Sequence, residues 1–306
     1  MRARGALALC AAAALVVSSA VAVARPSGAD AGWGRAESMS QRRSYLAAAE
    51  LGGFVYAAGG MVGETGRPLA TFARYDPATD DWEVLPQLPV PTRAAAAAAL
   101  DGRVFVVGGT TADGNTGATW AYDPGTRRWS ARAPLPAAVF NHAAVALDVT
   151  LYVVGGYADG RERADVYAYE PGRDLWRRIG TLPRATHAFG AVAFRGELWV
   201  LGGRRGERIL RDVWILDPAT RDWRRGPTMP RGMELLGAAV TGDEIHALWE
   251  SVYQVYDAGT GRWRAGPPPQ VTRHALEAFV VEGSLIAVGG CTTALQDSPV
   301  VERLEL

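Results

Sequence analysis

The chain has 306 residues, 48% of them hydrophobic, with 32 basic and 32 acidic side chains. That length suits one large domain or two ordinary ones, with ample material for a core. The neutral balance argues against nucleic acid or an anionic membrane surface as the main partner, and no Lys occurs, so every basic residue is Arg.

Residues 1–24 read as an export leader that is cleaved after Ala24. "MRAR" supplies a positive start, "GALALCAAAALVVSSAVAVA" an apolar run, and Ala22-Val23-Ala24 the small-x-small pattern of a signal-peptidase site before Arg25. An uncleaved membrane anchor is the alternative, since the run is nearly long enough to span a bilayer. Cleavage removes Arg2 and Arg4, leaving 30 Arg against 32 acids, or about −2. It also removes Cys10 and leaves Cys291 without a disulfide partner, so packing has to hold the exported protein together. The expected location is secreted or periplasmic, with no membrane contact after cleavage. A short linker at 25–32 then leads into a repeat region at 33–306.

The repeat is countable. Stepping 26 residues on from Trp33, Trp82, Trp129, Trp176, Trp223 and Trp263 lands on Gly59, Gly108, Gly155, Gly202, Trp249 and Gly289. Five landings begin a Gly-Gly pair that closes an apolar run, as in "FVYAAGG" and "LYVVGG", whereas the fifth unit carries Trp249-Glu250 in that slot. From slot to next tryptophan the spacing is 23, 21, 21, 21 and then 14 residues, so the fifth unit has lost a loop of seven. After Gly289 too few residues remain for another tryptophan, and Trp33 has none of the preceding machinery, so the two ends add up to one repeat.

Within each unit four short strands are expected. A run of small residues ("RAAAAAAL", "HAFGAVAF") meets a tight turn ("LDGR", "FRGE", "TGDE", "VEGS") and then the apolar run into the glycines. A polar loop, a strand ending in Tyr-Asp-Pro or a variant of it, and the tryptophan strand complete the unit. Four antiparallel strands in about 47 residues fit a propeller blade, with the small-residue strand nearest the crowded axis.

Glycine doublet, Tyr and Trp at this spacing resemble the kelch family across 33–306. Leu216 in place of Tyr, Trp249-Glu250 in place of the doublet and the truncated sixth unit depart from it. The resemblance implies an all-β, six-bladed propeller in which the strand after Trp33 completes the blade built from 273–306, removing both free sheet edges.

Functional candidates follow from antiparallel geometry. The loop entering a blade and the loop after its glycines must share one face. Eleven residues past each tryptophan stand Ser44, Arg93, Phe140, His187, Glu234 and His274, with His142 two beyond Phe140. These should ring the channel mouth, either as a ligand site or as the polar lining of a wet channel. The missing loop should leave a notch at blade five, floored by Trp249 and Glu250 and flanked by Arg204, Arg205 and Arg208. A Trp platform beside arginines suits a sugar or a carboxylate, although simple repeat decay would look the same. Cys291, just past the last glycine pair on this face, reads as a small, partly buried residue rather than a nucleophile.

The resulting functional expectation is a monomeric exported binding module for a glycan or protein ligand at the channel face, with no metal and no cofactor. An enzyme is the second expectation: in length, export and blade count the chain is similar to sialic acid mutarotases. Glu234 and His187 would then supply the acid/base groups and Arg93 or Arg204 the clamp. A copper oxidase like galactose oxidase, which is kelch-based with seven blades and a Tyr–Cys crosslink, ranks third.

Overall fold

The computed structural model describes residues 32–63, 66–292 and 296–306. The expected leader, and all but the last residue of the expected linker, lie outside them. Among the described residues there is no α-helix; six four-stranded antiparallel sheets form the blades, and four two-stranded ribbons accompany them.

The first blade comprises Ala47–Leu51, Phe54–Ala58, Phe72–Asp76 and Asp81–Val84, hydrogen-bonded in that order from axis to rim. The second to fifth repeat the order, with inner strands Ala96–Leu100, Ala143–Leu147, Gly190–Phe194 and Gly237–Thr241. In the sixth, Glu277–Val281, Ser284–Val288 and Val301–Glu305 are joined by Gly34–Ala36 as the outermost strand. Its register is Gly34 opposite Arg303, Arg35 opposite Glu302 and Ala36 opposite Val301, so the expected closure is present. Each inner strand touches the inner strands of both neighbours, and that of blade six touches that of blade one.

Alanine dominates the inner strands because six of them converge on the axis, and a larger side chain has no room there. The core therefore lies between blades. Six apolar clusters each join two neighbouring sheets, for example Phe105, Leu151, Tyr169 and Trp176 between blades two and three. The repeat tryptophans bolt these contacts. Five of the six donate their indole N–H to a carbonyl just past the outer strand of the preceding blade: Trp82 to Glu37, Trp129 to Pro86, Trp176 to Ala133, Trp263 to Pro227 and Trp33 to Pro267, all at 2.8–2.9 Å. Tyr75, Tyr122, Tyr169 and Tyr256 pack as tilted rings 5.0–5.5 Å from the tryptophan of their own blade. These are repeated roles in one geometry rather than functional residues, which is why the motif recurs along the chain.

The glycine pair answers a steric demand. Gly202 has φ +63°, and a Cβ there would lie 2.5 Å from the Met233 carbonyl oxygen; one on Gly203 would lie 2.8 Å from that of His187. At the first position the neighbouring blade's backbone, and at the second the entering loop of the same blade, occupies the place of a side chain.

Candidate functional site

The face reached by the glycine pairs carries a backbone collar. Tyr45, Ala94, Asn141, Ala188, Leu235 and Ala275, each twelve residues past a repeat tryptophan, all have left-handed φ of 47–58°. Consecutive members are hydrogen-bonded from blade to blade. The amides of Ala94, Asn141, Ala188, Leu235 and Ala275 donate to the carbonyls of Tyr45, Ala94, Asn141, Ala188 and Leu235 over 2.6–3.1 Å. The collar holds the preceding residue of each loop at the rim. Antiparallel bridges then join Ser44 to Met61, Arg93 to Thr110, Phe140 to Tyr157 and His187 to Arg204, so entering loops and post-glycine strands share this face.

At blade five the rim is lowest. Glu244–Trp249 and Val252–Asp257 pair down to Trp249 opposite Val252, leaving a two-residue turn where other blades extend a hairpin. Glu250 keeps the backbone role of the second glycine. It has φ +53°, and its amide donates to Arg273 O at 2.8 Å, as that of Gly203 donates to Met233 O at 2.8 Å. Trp249, unlike the first glycine of each pair, is not left-handed, because the shortened hairpin no longer requires it.

A cleft of about 300 Å³ opens above this turn, lined by Tyr45, Asn141, His187, Arg204, Glu234, Trp249, Glu250 and His274. It thus gathers six of the side chains singled out from the sequence. Arg204 Nη1 contacts both Glu234 oxygens at 2.8 and 3.1 Å, and its Nε donates to Gly206 O at 3.0 Å. His187 packs 4.9 Å from the Tyr157 ring. Burial holds its imidazole below the ordinary range, against the pull of Glu162 and Glu234, so it is neutral at pH 7.

Three sequence candidates stand elsewhere. His142 is wedged between blades two and three, where a Cβ on Gly108 would lie 2.7 Å from its Cε1 and one on Gly156 2.8 Å from its Cβ. Neither ring nitrogen makes a well-formed hydrogen bond, and burial, only weakly opposed by the Val107 backbone, pulls its pKa down to about 4. Arg93 turns its guanidinium to Met61 Sδ at 3.4 Å. Arg205 is exposed on the short fourth-blade hairpin formed by Arg204–Arg205 and Arg208–Ile209.

Tyr45 and Asn141 are the cleft residues that reasoning from eleven residues past each tryptophan missed; the signal lay one residue further on. Burial first, then Cys291 and Glu234, push the Tyr45 phenol up to about 12, opposed by Arg93 and Arg204. It remains a hydrogen-bond donor. Cys291 is buried with Sγ 3.1 Å from His274 Nε2, and burial raises its thiol to about 11, so it carries no thiolate at neutral pH. Among the described residues no three His, Cys, Asp or Glu side chains converge as a metal site.

Below the collar the channel narrows, lined by alanines with His142, Phe189 and Leu236 and by the acid Glu277. Enclosure lifts its carboxyl from 4.5 to about 8. A raised folded pKa means the folded chain holds this proton more tightly than the unfolded one. The corresponding stability is present at acid pH and lost as pH rises through about 8. Glu277→Gln should therefore flatten the decline between about pH 5 and 8, measured as urea midpoints across that range. Parallel pH slopes for the two proteins would contradict the assignment. At the opposite end of the propeller a depression of about 520 Å³ lies between blades two and three, with Asp101, Asp148, Val149 and Glu170 along it.

No curated protein matches the chain by sequence. Among solved structures, one described as "Structure of YjhT" superposes with a TM-score of 0.74 over 86% of this chain and 95% of that one, at 16% identity, a likeness of fold alone. The family pattern of the KLHDC2/KLHL20/DRC7 Kelch-repeats domain matches residues 45–248. With its glycine pairs, bolting tryptophans and six closed blades, the chain belongs to the kelch-repeat family.

Proposed function

We propose that this kelch propeller is an exported binding module whose ligand, a carbohydrate, occupies the cleft at blade five. One observation carries the reading: an indole stands where the repeat otherwise places glycine, at the edge of an open cleft ringed by donors and acceptors. Sugars present apolar ring faces and a periphery of hydroxyls. An aromatic platform with Arg204, Tyr45, Asn141 and the two histidines on one side of the exchange, and Glu234 and Glu250 on the other, matches both features. Export is inferred from the N-terminal sequence pattern.

Trp249→Ala should weaken a stacked sugar by about 1–2 kcal/mol, the worth of an aromatic contact in a partly wet site. Titration calorimetry with ligands selected from a glycan array checks this. Unchanged binding by the variant, or a ligand mapped to the Asp101–Glu170 end, would refute the placement. A second reading keeps the cleft and adds chemistry: Glu234, neutral His187 and the protonated Tyr45 phenol line one cavity and could move a proton during sugar ring opening. Accelerated anomer exchange of a bound sugar, followed by NMR, distinguishes it from binding alone.

A further inference from the structure

The charges facing the cleft do not balance. Arg204, its one arginine, is engaged by both oxygens of Glu234 and by Gly206 O. Arg93 faces a thioether, and Arg205 lies outside the cleft wall beside Glu162. Arg273, behind the Glu250 turn, is wholly buried and paired with Glu302 at 3.0 Å. Of these cations Arg204 and Arg273 are held by carboxylates, whereas the Glu250 carboxylate has no partner among the described residues, although its main chain is fixed by the Arg273 carbonyl. Glu277 lines the channel directly beneath, but its enclosed carboxyl stays protonated below about pH 8 and adds no charge there. An anionic ligand would have to displace Glu234 from Arg204 and approach Glu250, both unfavourable. Arginines beside the Trp platform suited a sugar or a carboxylate, but the one that lines the cleft, Arg204, is already paired with Glu234.

We propose that the cleft takes a cationic amino sugar, with the sugar ring against Trp249 and its ammonium on the Glu250 carboxylate. This rests on the carbohydrate reading above and narrows it. A two-residue hairpin holds Trp249 and Glu250 side by side at the cleft edge, so one ligand spans both. A protonated amine supplies the charge the cleft lacks, and its N–H groups meet an acceptor with no competing donor on the protein side. Nothing in the fold has to rearrange.

The test is titration of the full mature chain, below neutral pH and at low salt, with three probes: a glucosamine oligosaccharide, its N-acetylated counterpart and free sialic acid. The free amine should bind about five- to tenfold more tightly than the acetylated form, with sialic acid weakest, and added salt should narrow the gap. Glu250→Gln should bring the amine and acetylated affinities together. Equal affinities in the wild type, sialic acid tightest, or an amine preference that survives Glu250→Gln would each overturn the inference while leaving the carbohydrate reading standing. If none of the probes binds and a wider glycan panel is also blank, the carbohydrate reading falls and this inference falls with it.

Discussion

Trp33→Ala should destabilise the propeller by about 3–5 kcal/mol, the range for deleting a buried indole. Trp33 is 4% exposed and sits in the cluster between blades five and six with Leu248, Tyr253, Leu276 and Leu304. Its indole N–H reaches Pro267 O at 2.8 Å, and its ring meets Tyr253 edge-on at 5.9 Å. Those contacts tie residue 33 to a segment 234 residues away, so the side chain closes the ring as well as filling a cavity. Trp33→Phe keeps most of the apolar volume and loses the hydrogen bond, and should cost only about 1–2 kcal/mol. A chain beginning at residue 41 should fare worse than either. It lacks the Gly34–Ala36 strand and buried Met39, and it leaves the Val301–Glu305 strand as an open edge prone to pairing with other molecules. Urea titration of all three variants checks the order. A truncated chain that unfolds at the wild-type midpoint would show that closure contributes nothing.

Glu302→Ala should cost about 3–5 kcal/mol, because it strands a buried charge. Arg273 and Glu302 are both fully buried and 3.0 Å apart. Arg273 also donates to Gly289 O at 2.8 Å, to Ala287 O at 3.1 Å and to Val300 O. Glu302 in turn accepts the amides of Gln270 and Val271 at 2.7 and 3.1 Å, so its loss leaves two further donors without a partner. Burial draws the Arg273 pKa down to about 10, which leaves it charged at neutral pH. Arg43 stands at the same repeat position in blade one, and there the carbonyls of Ala57, Gly59 and Thr71 hold the guanidinium. Arg273→Met combined with Glu302→Leu should recover part of the loss, since no charge then remains to be desolvated, although the backbone groups both side chains served stay unpaired. A neutral Glu302→Ala, or a double variant less stable than the single one, would show that the pair is not the reason.

The repeat and its closure were legible because they rest on local chemistry at fixed spacing. A glycine pair 26 residues past each tryptophan reports a place where backbone meets backbone, and only sequence is needed to count it. The loss of seven residues at blade five was likewise visible as an interval, and it correctly indicated a complete strand pair with a short turn. Tyr45 and Asn141 escaped because the left-handed collar shifts the inward-facing position by one residue, and strand alternation does not anticipate a turn residue with positive φ. His142, expected at the mouth, was misplaced for a related reason: past the collar, its side chain lies between blades two and three below the mouth.

The amino-acid sequence by itself determined the blade count, the strand order within each blade, the face shared by the variable loops and the place where the pattern breaks. All of these follow from periodicity, which one dimension can carry. Tertiary structure alone decided which charges neutralise one another. Arg204 and Glu234 are 30 residues apart and Arg273 and Glu302 29, separations without periodic meaning. Whether an arginine is a free clamp for a ligand or an engaged internal partner depends on distances of a few ångströms between loops of different blades. Coulomb attraction and desolvation change steeply over that range, and sequence spacing does not record it.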